Sequence, residues 1–317
     1  MLTLYILQLI LPLTLIVWIA VAPQRSVVGF WTQAAATGLG LIALSFGGIL
    51  LVPPYWGPWA VGLLLIVAVV IALRRRSIMA VWPRSIAAWI VLTGFVAFAL
   101  FAADQIRLAY RGAQVPAGAS IDLASPLGAG RYLVINGGAT TVVNAHADAL
   151  DQSIPAHRAF YGTAYGVDLV TIDRLGLRAD GVIPADPRRY RIFGTTVISP
   201  CAGTIIVAVD GLPDMPVPEL DERHLAGNHV ILRCGEVDIL LAHFRRGSVR
   251  VRTGAKITVG TGIAEVGNSG STSEPHLHIH AQRRGAASAP FSGRPIPVTF
   301  SGRFLVRNAR FGGSNHH

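Results

Sequence analysis

No aspartate or glutamate occurs between Met1 and Ala103, so all 17 acidic residues lie beyond that point. The same stretch holds only five basic residues, Arg25, Arg74, Arg75, Arg76 and Arg84, in an otherwise apolar background. A segment so poor in charge and so long reads as membrane-embedded chain. The other 22 of the 27 Lys and Arg residues stand against the 17 acids, so the polar part carries +5 of the net +10. No basic run interleaved with aromatics accompanies that charge, which excludes nucleic acid as a partner. Cysteine is scarce. Cys201 and Cys234 are the two present, with no Cys-x-x-Cys, which argues against a thiolate zinc site. In an oxidising compartment they could form one disulfide; otherwise they read as two small buried thiols. The glycine-rich run Val251–Gly270 lacks a Walker or Rossmann pattern, so it reads as short strands joined by tight turns.

The apolar third offers four stretches of about 20 residues, the length a bilayer core requires of a helix. They run approximately from Leu2 to Ala22, Val28 to Val52, Trp56 to Leu73 and Ile86 to Ala103. The first lacks a basic leader and a small-residue cleavage site, so it is expected to be retained. None contains an ionisable residue, the usual mark of a transport path, so anchoring is the expected role, with sensing or transport a minor option. Arginines fall between spans one and two and between spans three and four, whereas Val52–Pro58 is uncharged. The positive-inside rule then places the arginine loops in the cytoplasm, with the N-terminus and the polar domain outside. Arg107 and Arg111 run against this orientation, but Asp104 accompanies them and long domains translocate largely regardless of charge.

After Asp104 the pattern changes to short alternating segments punctuated by Gly and Pro, the signature of strands. Candidate strands are Tyr132–Asn136, Gly166–Ile172, Thr195–Ser199, Gly203–Asp210, His229–Cys234, Val237–His243, Ser248–Arg252, Gly262–Val266 and His276–Gln282. The polar, Pro-rich run Gly211–Gly227 is too long for a hairpin turn and reads as an inserted surface loop. The expected organisation is a four-span helical region (1–103), a linker (104–130), an all-β, mainly antiparallel domain (131–290) and a C-terminal extension (291–317). The terminal His316 and His317 are given no role.

Alternate residues of a strand share a face, so His276, His278 and His280 in Pro275-His-Leu-His-Ile-His project together. Buried imidazoles need partners for every ring nitrogen, and a metal with a polarised water supplies them. An exposed polar face would explain an isolated His-x-His equally well. Its company argues for the metal. His243 ends the apolar strand Leu240-Leu-Ala-His, and Asp168 is a lone carboxylate in the apolar Tyr165-Gly-Val-Asp-Leu-Val. Asp168, one strand histidine and one further histidine would give the three ligands of a catalytic zinc.

Asp168, Ala242-His243-Phe244, the Val251–Gly260 segment and Gly267-Asn-Ser-Gly-Ser-Thr-Ser-Glu-Pro-His-Leu-His-Ile-His together resemble the M23, or LytM/lysostaphin-type, peptidase family. The resemblance spans roughly Val134 to Gln282. It implies a compact antiparallel β domain that holds one zinc and hydrolyses peptide cross-links of bacterial peptidoglycan, here from the inner (cytoplasmic) membrane into the periplasmic or extracellular space. It makes His278 and Asp168 metal ligands, and His243 and His276 the pair that acts on the zinc-bound water and the developing oxyanion. His280 falls just beyond the motif and reads as an outer-shell or surface histidine.

The family's first ligand, a histidine four residues before the aspartate, is replaced by Ala164. His146, in Val143-Asn-Ala-His, resembles the Asn-x-His of some membrane-linked relatives, and His157 is the rival; a site with no third protein ligand is the remaining alternative. Two functions follow. One is a membrane-anchored zinc endopeptidase acting on cell-wall peptide. The other is a degenerate module that binds peptidoglycan or a partner protein without catalysis.

Overall fold

A computed structural model describes residues 6–22, 26–75, 80–285 and 291–312. The chain divides into two compact units, Met1–Tyr110 and Arg111–His317.

In the first unit a shorter apolar helix, α1 (Leu11–Val21), is preceded by a π-helical turn at Ile6–Ile10. Three further helices are long and apolar enough to cross a membrane: α2 (Val27–Gly47), α3 (Gly57–Arg74) and α4 (Ile86–Gly112). Ser26 starts α2 by accepting the Gly29 N–H at 3.0 Å, and α3 carries proline in its first turn, where the missing N–H has no partner to lose. Ile16, Ile19, Phe30, Ala68 and Ala72 pack α1, α2 and α3 together. Large apolar side chains such as Trp59, Ile86, Ile90 and Leu100 point outward instead, a surface suited to lipid. The first expected span is described only from Ile6, so three helices rather than four meet the length for crossing. Arg25, Arg76, His316 and His317 lie outside the described residues. The last helix passes Ala103 and ends in a polar stretch where Arg107 pairs with Asp104 at 2.7 Å.

The second unit is a β domain. Its strands begin with β1 (Ile121–Leu123), β2 (Arg131–Asn136), β3 (Val167–Thr171), β4 (Thr196–Ile198), β5 (Gly203–Val209), β6 (Asn228–Cys234) and β7 (Val237–Phe244). They continue with β8 (Lys256–Ile257), β9 (Gly262–Glu265), β10 (Leu277–Gln282), β11 (Pro295–Ile296), β12 (Val298–Phe300), β13 (Arg303–Phe304) and β14 (Arg310–Gly312). The main sheet is nine-stranded, in the order β14-β2-β3-β10-β7-β6-β5-β8 with β11 beside β10. Each pairing in it is antiparallel. A small sheet pairs β1 parallel to β12, with β13 beyond, and β4 pairs with β9.

The period of two sorts the side chains. Ile239, Leu241, Leu277, Ile279 and Ala281 enter the main core, while Leu240 and Ala242 join a second apolar cluster with Ile231. A fully buried Leu or Ile of this kind contributes about 1.5–3 kcal/mol, which anchors β10 and leaves its alternate residues free for chemistry. Cys201 and Cys234 are joined by a disulfide with Cα atoms 6.3 Å apart, tying the start of β5 to the end of β6.

One expected strand does not form. In Ser248–Arg252 the Val249 N–H bonds Asp210 Oδ2 at 3.2 Å and the Arg250 N–H bonds the Ile263 carbonyl at 2.8 Å. A side chain and a single carbonyl thus take the donors that a ladder would need. The Gly211–Gly227 loop is fastened at Asp214, which accepts from the Asn268 N–H at 2.7 Å. Where this loop meets the next, Gly270 has φ +87° and its missing Cβ leaves room for the Gly227 backbone.

Candidate metal centre

The central strand β10 brings three chain segments to one point. His278 stands opposite Asp168 on β3 and opposite Ala242 on β7. A β-bulge between Val134 and Asn136 then sets Asn136 opposite Asp168. His146 arrives from outside the sheet, on the 3-10 turn Ala145–Leu150. Asn144 fixes that arrival: its Oδ1 accepts the His146 N–H at 3.1 Å, and its Nδ2 donates to the Gly138 and Gly166 carbonyls at 2.9 and 3.1 Å.

Asp168 is the hub of the contacts. Its Oδ1 is 2.8 Å from His278 Nδ1 and its Oδ2 is 2.9 Å from His146 Nε2, while Asn136 Nδ2 donates to Oδ2 at 2.8 Å. Ligand atoms of His146, Asp168 and His278 all lie within 4.8 Å of one another. Ligand bonds of about 2.1 Å at tetrahedral angles separate ligand atoms by roughly 3.4 Å, so this two-nitrogen, one-carboxylate set fits a divalent metal with a position left open. Gly166 makes the convergence possible. A Cβ there would sit 2.7 Å from His278 Cε1 and 3.1 Å from His146 Cδ2.

The electrostatics follow from burial and contact. Burial would raise the Asp168 pKa, but the charges of His146 and His276 and bonds from His146 and His278 hold it well below the usual carboxylate value. Burial works to lower His146, yet Asp168 outweighs it and the net pKa is raised. His278 is lowered, chiefly by burial. His243 is pushed well below its ordinary value, first by burial and then by the His276 and His278 charges.

Beside this trio stand His243 and His276, their ring centroids 4.8 Å apart. His243 Nδ1 lies 2.9 Å from the Ser269 carbonyl, and His276 Nδ1 lies 2.9 Å from the Glu274 carbonyl. A carbonyl only accepts, so each Nδ1 carries the proton and, in the neutral ring, each Nε2 keeps a lone pair. His276 Nε2 is 3.7 Å from Asp168 Oδ1. His243 takes φ +67°, a left-handed conformation uncommon for a non-glycine residue and frequent at functional sites.

His280 is buried to 1% exposure, so it is not a surface residue. Its Nδ1 is 2.9 Å from His278 Nε2, and its own Nε2 has no hydrogen-bond partner. It lines a cavity of about 300 Å³ with Phe160, Leu225, Leu240, Ala242 and Phe291, and the cavity reaches His146, His243 and His278. His157 does not join the cluster; its Nδ1 lies 3.1 Å from the Asp151 carbonyl. Ala164 is fully buried and contributes no ligand atom.

Sequence reasoning missed Asn136, Asn144, Arg178, Glu274 and Arg307. Arg178 Nε bonds both Glu274 oxygens at 2.8 and 2.9 Å, in a pair only 4% and 5% exposed. That pair fixes the residue whose carbonyl orients His276. The available signal was a buried-looking acid in Ser273-Glu274-Pro275 just ahead of the His-x-His, but its partner lies 96 residues away.

The sheet and its converging donors define a β domain with a candidate metal centre. Residues 190–290 match peptidase family M23, a stretch that holds His243, His276 and His278. The similarity to that family is thus carried by this part of the β domain, about a third of the chain. No curated protein matches the chain. Among solved structures it is similar to the catalytic domain of the antimicrobial peptidase lysostaphin from Staphylococcus simulans. The identity there is 20% over 40% of this chain and 71% of that one, with a TM-score of 0.26. The whole lysostaphin matches at 20% identity over 40% of each chain, TM-score 0.27. A zinc-containing peptidase from Vibrio cholerae matches at 18% identity over 46% of this chain and 48% of that one, TM-score 0.23. The chain thus spans less than half the length of the latter two.

Proposed function

We propose that the protein is a membrane-anchored, zinc-dependent endopeptidase that hydrolyses peptide bonds of bacterial cell-wall peptidoglycan. The observation that carries this reading is the convergence of His146, Asp168 and His278 beside two imidazoles whose Nδ1 protons are tied to carbonyls. His146 Nε2, the Asp168 carboxylate and His278 Nδ1 would hold one zinc, with His146 as the first ligand in place of the residue absent at Ala164. Zinc would supply Lewis acidity and lower the pKa of a bound water to about 7.

The chain's own groups handle the protons. His276 Nε2, 3.7 Å from Asp168 Oδ1, and His243 Nε2 each keep a lone pair, so one of them accepts the proton of the attacking water and returns it to the leaving amine. Burial, then the His276 and His278 charges, lower the His243 pKa and so favour its neutral ring. The family match over residues 190–290 supports the substrate class, and the Cys201–Cys234 disulfide supports an oxidising compartment. The apolar helices support anchoring. We place four spans in the inner membrane, with Ile6–Val21 as the first, and the N-terminus and β domain outside.

Ala164 keeps a second reading in view, a module that binds peptidoglycan or a partner protein without cleaving it. One experiment separates them: the full-length chain in detergent micelles, incubated with purified peptidoglycan, beside His278→Ala. Zinc-dependent release of peptide fragments, lost in the variant, is expected. Zinc bound without cleavage would favour the binding module, and absence of zinc would sink the metal reading.

A further inference from the structure

We infer that Arg307, from the chain's C-terminal segment and outside the family match, is a positioning residue that aligns Asp168 and the turn bearing His146 for the metal. The inference rests on the metal reading above. Arg307 lies between β13 and β14, where its backbone N–H bonds the Gly137 carbonyl at 3.2 Å. Its three guanidinium nitrogens reach three different places. Nε donates to the Ile135 carbonyl on β2 at 2.9 Å, and Nη1 donates to the Val142 carbonyl at 2.9 Å, in the loop that leads to His146. Nη2 donates to Asn136 Oδ1 at 2.6 Å.

The third bond decides the orientation of Asn136. That oxygen also accepts the Ala145 N–H at 3.2 Å, so two donors fix the amide with its Nδ2 turned toward Asp168. Asn136 Nδ2 then donates to Asp168 Oδ2 at 2.8 Å, on the carboxylate that would bind the metal. A planar fork with fixed donor directions can hold all three acceptors at once, which an ammonium cannot. Burial lowers the Arg307 pKa to about 10, with Asp168 opposing, so the group stays charged at neutral pH.

The charge and the geometry of Arg307 pull in opposite directions. A cation near a metal site repels the metal, so loss of the charge alone would tighten binding. Loss of alignment would weaken it. Groups that orient metal ligands typically account for 10–100-fold in affinity.

The test is the zinc dissociation constant of the full-length chain in detergent, by competition with a chromophoric chelator. Wild type, Arg307→Met, Arg307→Lys, Asn136→Ala and the Arg307→Met/Asn136→Ala double variant are compared. Expected is a loss of about 10–100-fold in Arg307→Met and in Asn136→Ala. A smaller loss is expected in Arg307→Lys, and in the double variant a loss smaller than the two single losses combined, because the bond between Arg307 and Asn136 is shared by both. Zinc bound as tightly as wild type, or tighter, in Arg307→Met overturns the inference. Circular dichroism checks the fold; should Arg307→Met not fold, wild-type affinity in both Arg307→Lys and Asn136→Ala overturns it equally. Wild type without zinc overturns the metal reading itself, whereas zinc-loaded wild type with unaffected variants overturns this inference alone.

Discussion

Asp168 and His278 face each other across the β3–β10 pair, with Oδ1 and Nδ1 2.8 Å apart. The contact sets what His278 needs behind it. With Nδ1 turned to the carboxylate and the metal position, Nε2 is left to His280 Nδ1 at 2.9 Å. When a metal takes Nδ1, Nε2 carries the proton and His280 must accept it. His280→Phe keeps a flat ring but removes that acceptor, and zinc affinity is expected to fall by about 10–100-fold. His280→Gln, which restores an acceptor, should recover part of it. Equal affinity in His280→Phe and wild type, by chelator competition, would show that the contact does not tune the ligand.

Gly166 is the close-packed point between the two ligand histidines. A Cβ would stand 2.7 Å from His278 Cε1, and β3 gives little room for it to shift. Gly166→Ala is expected to destabilise by about 1–3 kcal/mol, as overpacking does, and to weaken zinc binding as well. Thermal unfolding with and without metal checks both effects.

The buried pair Arg178–Glu274 gives a stability test away from the metal. Breaking it leaves an uncompensated charge, so Arg178→Met is expected to cost about 3–5 kcal/mol. Replacing both partners by apolar residues should cost less. Small and similar losses in the two variants by chemical denaturation would show that the pair contributes as little as an exposed one. Because Glu274 O holds His276 Nδ1, turnover should also fall in folded variants at saturating substrate.

Much of this site was legible from residue spacing. The His276/His278 pair shares a strand face because strands alternate, and Asp168 stood out as a lone carboxylate in an apolar run. What the spacing could not convey is the company each residue keeps. Asn136 reaches Asp168 only because a bulge shifts β2, and Arg307 meets Asn136 across 171 residues of sequence. His146, in its Asn-x-His, and its rival His157 both remained open in one dimension; in the fold, Asn144 bonds back to Gly138 and Gly166 and turns His146 inward. The strands of 295–312 are two or three residues long, too short for periodicity to reveal, and β14 is found only by its pairing with β2. Conversely, Ser248–Arg252 alternates like a strand, but Asp210 takes its Val249 N–H.

Proton competition gives a pH dependence with a definite sign. In the metal-free chain the His146 pKa is raised above 6.5 by Asp168, over the opposing effect of burial. Zinc must displace that proton. Apparent affinity is therefore expected to be full above the raised pKa and to weaken as pH falls through it, by about tenfold per unit for one proton. The decline should begin above pH 6.5, as titration calorimetry on the wild-type chain at several pH values would reveal.

In the proposed site His146 supplies the ligand missing at Ala164. The most direct measurement is the zinc content of the full-length chain purified in detergent and dialysed against metal-free buffer, by mass spectrometry, for wild type, His146→Ala and His157→Ala. One zinc per chain is expected in wild type and His157→Ala, and near-complete loss in His146→Ala. Zinc retained in full by His146→Ala, or lost in His157→Ala alone, would contradict it.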